Sequence, residues 1–210
     1  MKNLFLYGFI ATFTLITSCS SNDSEIIQED LNLSVSSALT NEEITDLIFL
    51  REEEKLARDV YLYSYELYGN PIFKNISNSE QTHMDTVLAL LNKYNINDPA
   101  SNVKGEFYNN ELQEIYEHLI QQSSISEVEA LKVGNIIEDL DIKDLQLNEE
   151  RTIKTDLLTA YGALKCGSRN HLRNYYEQLI KKNVVYSPMY ISESEFEEIV
   201  STSNEKCTNN

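Results

Sequence analysis

Residues 76–87 read ISNSEQTHMDTV and are the clearest case in this sequence of polar residues on an apolar helix face. Residues of one seam recur here at alternating steps of four and three, which is the spacing of one face of an α-helix. Glu80 and His83 occupy the middle of that face, where apolar core residues are expected. Burying both groups costs free energy unless a metal ion neutralises them or they form a hydrogen-bonded pair, and both interpretations stay open. The seam consists of Ile76, Glu80, His83, Val87, Leu90 and Tyr94.

Helical spacing continues over most of the remaining sequence. The chain of 210 residues has only six glycines and three prolines, so it lacks the turn residues that a β-sandwich needs. N-cap residues and a Gly-Asn-Pro break mark the ends of the predicted helices. These run from Thr40 or Asn41 to Tyr68, from Pro71 to about Asn95, from Ser124 or Ser126 through Leu145, from about Asn148 through Lys181, and from Glu193 to Val200.

The connections between the four long helices indicate how they are arranged. The first and second helices are joined tightly, as are the third and fourth. Residues 101–122 form a long connector between the two pairs, with one short amphipathic helix inside it. One long crossover between two tight hairpins is the connectivity of ferritin-like bundles. We therefore predict an all-α, ferritin-like four-helix bundle.

Two further helices bring polar residues into the predicted core. On the third long helix, Glu138 and Asp141 interrupt an apolar seam that is intact at both ends. On the fourth, His171 falls at the corresponding depth. His118 lies in a polar part of the connector and is predicted to be exposed. Acids and imidazoles at one level of the bundle indicate a single polar site.

The first helix presents three consecutive acids, and periodicity must choose among them. Glu52 aligns with Thr45 and Glu66, so it is predicted to face water. Glu53 and Glu54 both align with apolar positions, and the pattern does not separate them.

Residues 54–61 resemble the first helix of rubrerythrin, which carries Glu-x-x-Ala-Arg-x-x-Tyr with the glutamate as an iron ligand. This resemblance implies Glu54 as the ligand. Residues 51–61, 79–84, 130–134, 138–141 and 167–172 further resemble the uncharacterised ferritin-like family called domain of unknown function 2202. The family implies the fold over about residues 40–200 and brings no established activity. Its kinship with ferritin-type proteins implies a di-iron or related site.

One position departs from the ferritin pattern. A second Glu-x-x-His is usual on the fourth helix, but Ser168 stands at the Glu position here. Asp141 falls where rubrerythrin-like proteins carry an additional acid, and it could supply the missing carboxylate. Four acids would balance two divalent ions of iron or manganese, while a single ion stays an alternative. The predicted ligands are Glu54, Glu80, His83, Glu138, Asp141 and His171.

The N-terminus predicts export and lipid anchoring. Residues 1–18 form a short apolar run after Lys2, typical of a signal peptide. The next residue, Cys19, completes a sequence that resembles a bacterial lipobox, which implies acylation of this cysteine. Ser20 resembles the signal for outer-membrane sorting, which leaves open whether the protein faces the periplasm or the cell surface. Residues 19–39 would be a flexible tether, 40–201 the helical domain and 202–210 a tail.

The net charge and the cysteines limit which binding partners and covalent links we predict. The formal net charge of −17 repels phosphate backbones, so we predict no nucleic-acid partner, and the lipid on Cys19 must hold the chain at the membrane. Cys166 and Cys207 are the remaining cysteines. In an oxidising compartment they would either pair or stay free, and the sequence does not decide. A homodimer also stays open.

Two functions fit these observations. The first is a metal-dependent oxidase or peroxidase, in which Tyr61 or Tyr65 would donate a hydrogen bond or an electron near the site. The second is a non-catalytic scaffold or metal-binding module at the cell envelope.

Overall fold

The computed structural model describes residues 38–207, and within that range it is all-α. The predicted signal peptide, Cys19 and nearly all of the tether lie outside the described residues. Within them, no helix is both long and apolar enough to cross a membrane. The described range contains six helices: α1 (Asn41–Tyr68), α2 (Pro71–Lys93), α3 (Asn110–Ser123), α4 (Glu127–Glu150), α5 (Thr155–Lys181) and α6 (Glu193–Val200).

Side chains cap the starts of α1 and α4 at positions that the sequence indicates. Thr40 forms a capping box with Glu43: its hydroxyl accepts the Glu43 N–H at 3.1 Å, and the Glu43 carboxylate accepts the Thr40 N–H at 2.8 Å. Gly69 ends α1 with a φ of 64°, a conformation that suits glycine. Ser126 caps α4, which settles the choice between Ser124 and Ser126.

The predicted boundary between the third and fourth long helices is wrong. We predicted that the third ends near Leu145 and the fourth begins near Asn148, but α4 continues to Glu150 and α5 begins at Thr155. Asn148 is buried inside α4, and its side-chain oxygen accepts a hydrogen bond from Arg151, which caps the helix. The sequence carries no glycine or proline there to mark the turn.

The four long helices pack in a ring. α1 lies along α2, and α4 lies along α5; α1 also contacts α4, and α2 contacts α5. Two apolar clusters fill the interior at different levels. On α2, Ile76 belongs to one cluster and Val87 to the other; on α5, Leu172 belongs to the first and Leu164 to the second. On these two helices the buried polar residues lie between the two levels.

The crossover covers a face of α1 that we predicted to face water. Glu52 is only 1% exposed. Its carboxylate accepts the N–H groups of Tyr108 at 2.6 Å and Asn109 at 2.9 Å, just before α3 begins. The prediction was wrong because helical period alone cannot reveal that a connector folds over this face.

A buried ion pair also fastens the crossover to α1. Lys55 and Asp59 are fully buried, and their Nζ and Oδ2 atoms lie 2.6 Å apart. Lys55 also donates to the Val103 carbonyl at 2.9 Å and lies 4.4 Å from the centre of the Phe107 ring. Asp59 accepts the Gly105 N–H at 2.9 Å.

The C-terminal segment is tied to α5. Cys166 and Cys207 form a disulfide, which answers the question that the sequence left open. Glu205 pairs with Arg169 and with Arg173, the latter at 2.8 Å. Hydrogen bonds from the two guanidinium groups lower the pKa of Glu205 to about 2.

Candidate metal centre

The polar residues of the α2 seam are buried as predicted. Glu80 is 1% exposed and His83 is 8% exposed. They lie one helical turn apart, so both side chains point into the space between the four long helices. Glu54, Glu138 and His171 are buried from α1, α4 and α5 and meet them there.

Two groups of three potential ligands share one carboxylate. The first consists of Glu54, Glu80 and His83, and the second of Glu80, Glu138 and His171. Within each group the candidate ligand atoms all lie within 4.8 Å of one another. Glu80 is thus placed to bridge two positions.

The contacts of Glu80 divide between the two imidazoles. Its Oε2 lies 2.8 Å from Nδ1 of His83, and its Oε1 lies 2.9 Å from Nδ1 of His171. His83 Nδ1 is also 3.2 Å from Glu54 Oε2, and His171 Nδ1 is 3.3 Å from Glu138 Oε2. The two rings are stacked with their centres 5.4 Å apart. Each imidazole therefore faces two carboxylates.

Neighbouring hydroxyl groups orient this cluster. Tyr61 donates a hydrogen bond to Glu138 Oε1 at 2.6 Å, whereas Tyr65 is 36% exposed on the surface. Of the two tyrosines considered from the sequence, the structure therefore places Tyr61 at the site. Ser79, whose role the sequence did not reveal, lies 2.9 Å from Nε2 of His171, so this imidazole contacts polar groups through both nitrogens.

Asp141 lies beside the two groups but belongs to neither of them among the described residues. Its carboxylate accepts a hydrogen bond from Ser168, the residue at the usual Glu position of α5. The charges of Glu54 and Glu138, together with burial, raise its pKa. Asp141 thus places a carboxylate close to the position that Ser168 leaves without one, and its role as a ligand stays a prediction.

The remaining acid and histidine of the sequence prediction fall elsewhere. Glu53 is buried but lines a separate cavity with residues of α3 and α4. Glu54 is the acid of this pair that lies in one of the two groups, and its role as a ligand stays a prediction. His118 is exposed, as the sequence predicted.

Burial and charge shift the pKa values in opposite directions. Burial alone would lower the pKa of His171, but the Glu80 and Glu138 carboxylates raise it to about 10. Burial would raise the pKa of Glu80, yet His171 and His83 bring it far below its usual range. Burial and Glu80 raise the pKa of Glu138 to about 7. The imidazoles thus carry the positive charge that balances these carboxylates.

Several atoms of the centre have no hydrogen-bond partner in the part of the chain that the structure describes. Although His171 Nδ1 and Glu80 Oε1 are close, their geometry does not form a hydrogen bond. Buried atoms without a partner are rare in folded proteins because each costs free energy. The unpartnered atoms are Glu54 Oε1, Glu80 Oε1, Asp141 Oδ1, His171 Nδ1 and the Tyr175 hydroxyl. Carboxylate oxygens and imidazole nitrogens are donor types that suit a divalent cation, and Glu54, Glu80 and His171 belong to the two ligand groups.

Gly167 makes room for one of the imidazoles. A Cβ atom at this position would lie 2.4 Å from Nε2 of His83, which is a severe overlap. Only glycine therefore allows α5 to pass the ring at this distance. The sequence pattern does not reveal this role, since it depends on the spacing of two helices.

A polar cavity of about 360 Å³ opens beside the two imidazoles. Its walls include Ser79, Gly167 and Asn170 together with the C-terminal residues Glu205 and Cys207. His83 and His171 are part of the same lining, so a small molecule in this cavity would meet the centre.

The fold and this centre define the class of the protein as all-α with a buried cluster of carboxylates and imidazoles. The chain belongs to the family described as uncharacterized protein domain (DUF2202), which matches residues 43–203. It is 49% identical over 172 residues to the uncharacterized protein MJ0754 of Methanocaldococcus jannaschii, covering 81% of this chain and 93% of that protein. The crystal structure of hypothetical protein MJ0754 from Methanococcus jannaschii DSM 2661 superposes with a TM-score of 0.79, covering 80% of this chain and 97% of that one.

Proposed function

We propose that this chain is a ferritin-like protein that binds two divalent metal ions, iron or manganese, and uses them in reactions with oxygen or peroxide. The observation that carries the proposal is the pair of ligand groups that share Glu80. In ferritin-like di-metal proteins, two helices each contribute a Glu and the other two each contribute a Glu-x-x-His unit. Here Glu54, Glu138 and the Glu80–His83 unit match that scheme, and His171 matches its last member.

The unpartnered atoms support a metal as the occupant. Glu54, Glu80 and His83 would hold one ion, and Glu80, Glu138 and His171 the other. Metal binding would take over the positive charge that the imidazoles supply to the carboxylates, so it would release protons. Asp141 would contribute a fourth negative charge in the place of the α5 carboxylate that Ser168 lacks. Four carboxylates would then balance two divalent ions.

When bound, such ions supply one-electron chemistry with oxygen or peroxide. The chain's own residues prepare the site for it. Ser79 orients His171, and the Tyr61 hydroxyl holds Glu138 in place. The polar cavity beside the imidazoles would admit a small oxidant, while the apolar clusters above and below exclude bulk water.

Elemental analysis and thermal melting of the purified chain test this function. We expect about two equivalents of iron or manganese per chain and a metal-dependent rise in melting temperature. The iron-loaded chain should then consume oxygen or peroxide. If iron, manganese and zinc all leave the melting temperature unchanged, the chain is a scaffold that has kept the fold without the metal. If metal binds but no oxidant is consumed, it is a binding module.

Replacement of Gly167 by alanine should weaken metal binding by about 10- to 100-fold, the range for residues that orient ligands. The added methyl group would displace the His83 ring. Gly162→Ala on the same helix is the matched control, because a Cβ atom there meets only Glu149, at 3.9 Å. Calorimetric titration with Mn²⁺ measures both variants. Equal affinities would show that His83 is not a ligand.

The proposal includes the lipid anchor inferred from the sequence. Acylation at Cys19 would tether the domain to the cell envelope. Cys19→Ala should therefore release the chain from the membrane fraction or leave it unprocessed. Fractionation of cells that express both forms measures this. A variant that is processed and still stays membrane-bound after a high-salt wash would contradict the anchor.

A further inference from the structure

A second cavity lies away from the centre, between α1, α3 and α4. Its volume of about 410 Å³ falls in the range of small-molecule sites, which is roughly 300–1,000 Å³. The walls are mostly apolar, with Phe49 and Leu56 from α1, Leu112 and Ile115 from α3, and Ile137 from α4. The apolar part of a ligand would be well desolvated here.

The charged groups in its lining are of one sign, apart from the imidazole of His118. Glu53 is 6% exposed and reaches the cavity from α1, and its Oε2 atom accepts no hydrogen bond from residues 38–207. Glu114 of α3 adds a second acid, and no lysine or arginine among the described residues is part of the lining. A buried oxygen acceptor without a donor costs free energy, and a ligand with an N–H or O–H group in this apolar cavity would supply the missing hydrogen bond.

We propose that this cavity binds a small primary amine with an apolar body, whose ammonium group donates to Glu53. The apolar walls hold the body, and the two acids favour a cation over an anion. A neutral alcohol satisfies the same oxygen with one donor but brings no positive charge to this group of acids, which Asp141 and Asp144 beside Glu53 extend. Among the described residues, the cavity lining includes no member of the two ligand groups, and the inference does not rest on the proposed function.

The test compares three ligands of equal length on the purified chain: n-hexylamine, n-hexanol and hexanoate. We expect the amine to bind at least about tenfold tighter than the alcohol, and hexanoate not to bind. In NMR spectra of the wild type, the amine should shift the methyl signals of Leu112, Ile115 and Ile137. It should leave those of Val87 and Leu157, in the other apolar cluster, unchanged.

Glu53→Gln should weaken binding of the amine by about tenfold or more and leave that of the alcohol nearly unchanged. Glu117→Gln is the matched control, since Glu117 is an exposed acid of α3 that does not line the cavity. Ile136→Phe, which narrows the cavity, should weaken the binding of both the amine and the alcohol. Equal affinity for all three ligands, binding that Glu53→Gln does not affect, or no binding of the amine to the wild type would each overturn the proposal.

Discussion

Replacing Glu80 and His83 together by leucine is expected to abolish the metal-dependent rise in melting temperature while leaving the helices folded. At a metal concentration about a hundredfold above Kd, the wild type gains about 2.7 kcal/mol of stability that the double variant lacks. Without metal, the variant should be at least as stable as the wild type, because apolar residues replace buried charges. Thermal melts with and without Mn²⁺, followed by circular dichroism, measure both effects.

Single substitutions distinguish the role of Glu80, which both ligand groups share, from the roles of the other carboxylates. Glu80→Gln should lose both ions, since both ligand groups include Glu80, whereas Glu54→Gln should retain the ion held by Glu138 and His171. His118→Ala serves as the control because this imidazole is exposed and outside both groups. Metal counts per chain measure the difference. If Glu80→Gln binds as much metal as the wild type, the bridging role is wrong.

Asp59→Asn is expected to destabilise the protein by about 3–5 kcal/mol, because it leaves the buried Lys55 ammonium without its negative partner. Arg58 loses a partner as well. The crossover segment around Val103 and Gly105 should loosen first, since it is fastened to this pair. Urea unfolding measures the loss in stability, and amide exchange locates it.

Two further variants show how much of that loss in stability is due to the buried charge pair. Lys55→Met with Asp59→Leu removes both charges and should cost less than Asp59→Asn alone. Glu66 lies on the same helix as Asp59 and forms an exposed ion pair with Lys104 of the crossover. Glu66→Gln breaks that pair and should change the free energy of unfolding by less than about 0.5 kcal/mol. A loss for Asp59→Asn no larger than that of Glu66→Gln would show that the buried pair contributes little.

Local sequence signals predicted the helices and much of the candidate centre. The all-α class followed from spacing, and Glu80, His83, Glu138 and His171 were found because each interrupts an apolar seam. Periodicity could not separate Glu53 from Glu54, because both positions are buried and only the packing of α1 against its neighbours distinguishes them. The resemblance to rubrerythrin supplied that choice.

Other features depend on distances between segments that are remote in sequence. Glu52 has the pattern of a surface residue, yet Tyr108 and Asn109 cover it. The need for glycine at position 167 arises only because α5 passes close to the His83 ring. The helix boundary near Asn148 had no glycine or proline to mark it. Such features can be recognised only from the tertiary structure, because helical periodicity and capping residues give no information about contacts between remote segments.

The position of the disulfide has a practical consequence for purification. Cys207 is held to α5 by the disulfide and lines the cavity beside His83 and His171. An affinity tag fused a few residues after Cys207 would therefore begin close to this opening. Its imidazoles would compete for the ions whose number is to be counted. A polyhistidine tag at this end must therefore be cleaved off before any metal is measured.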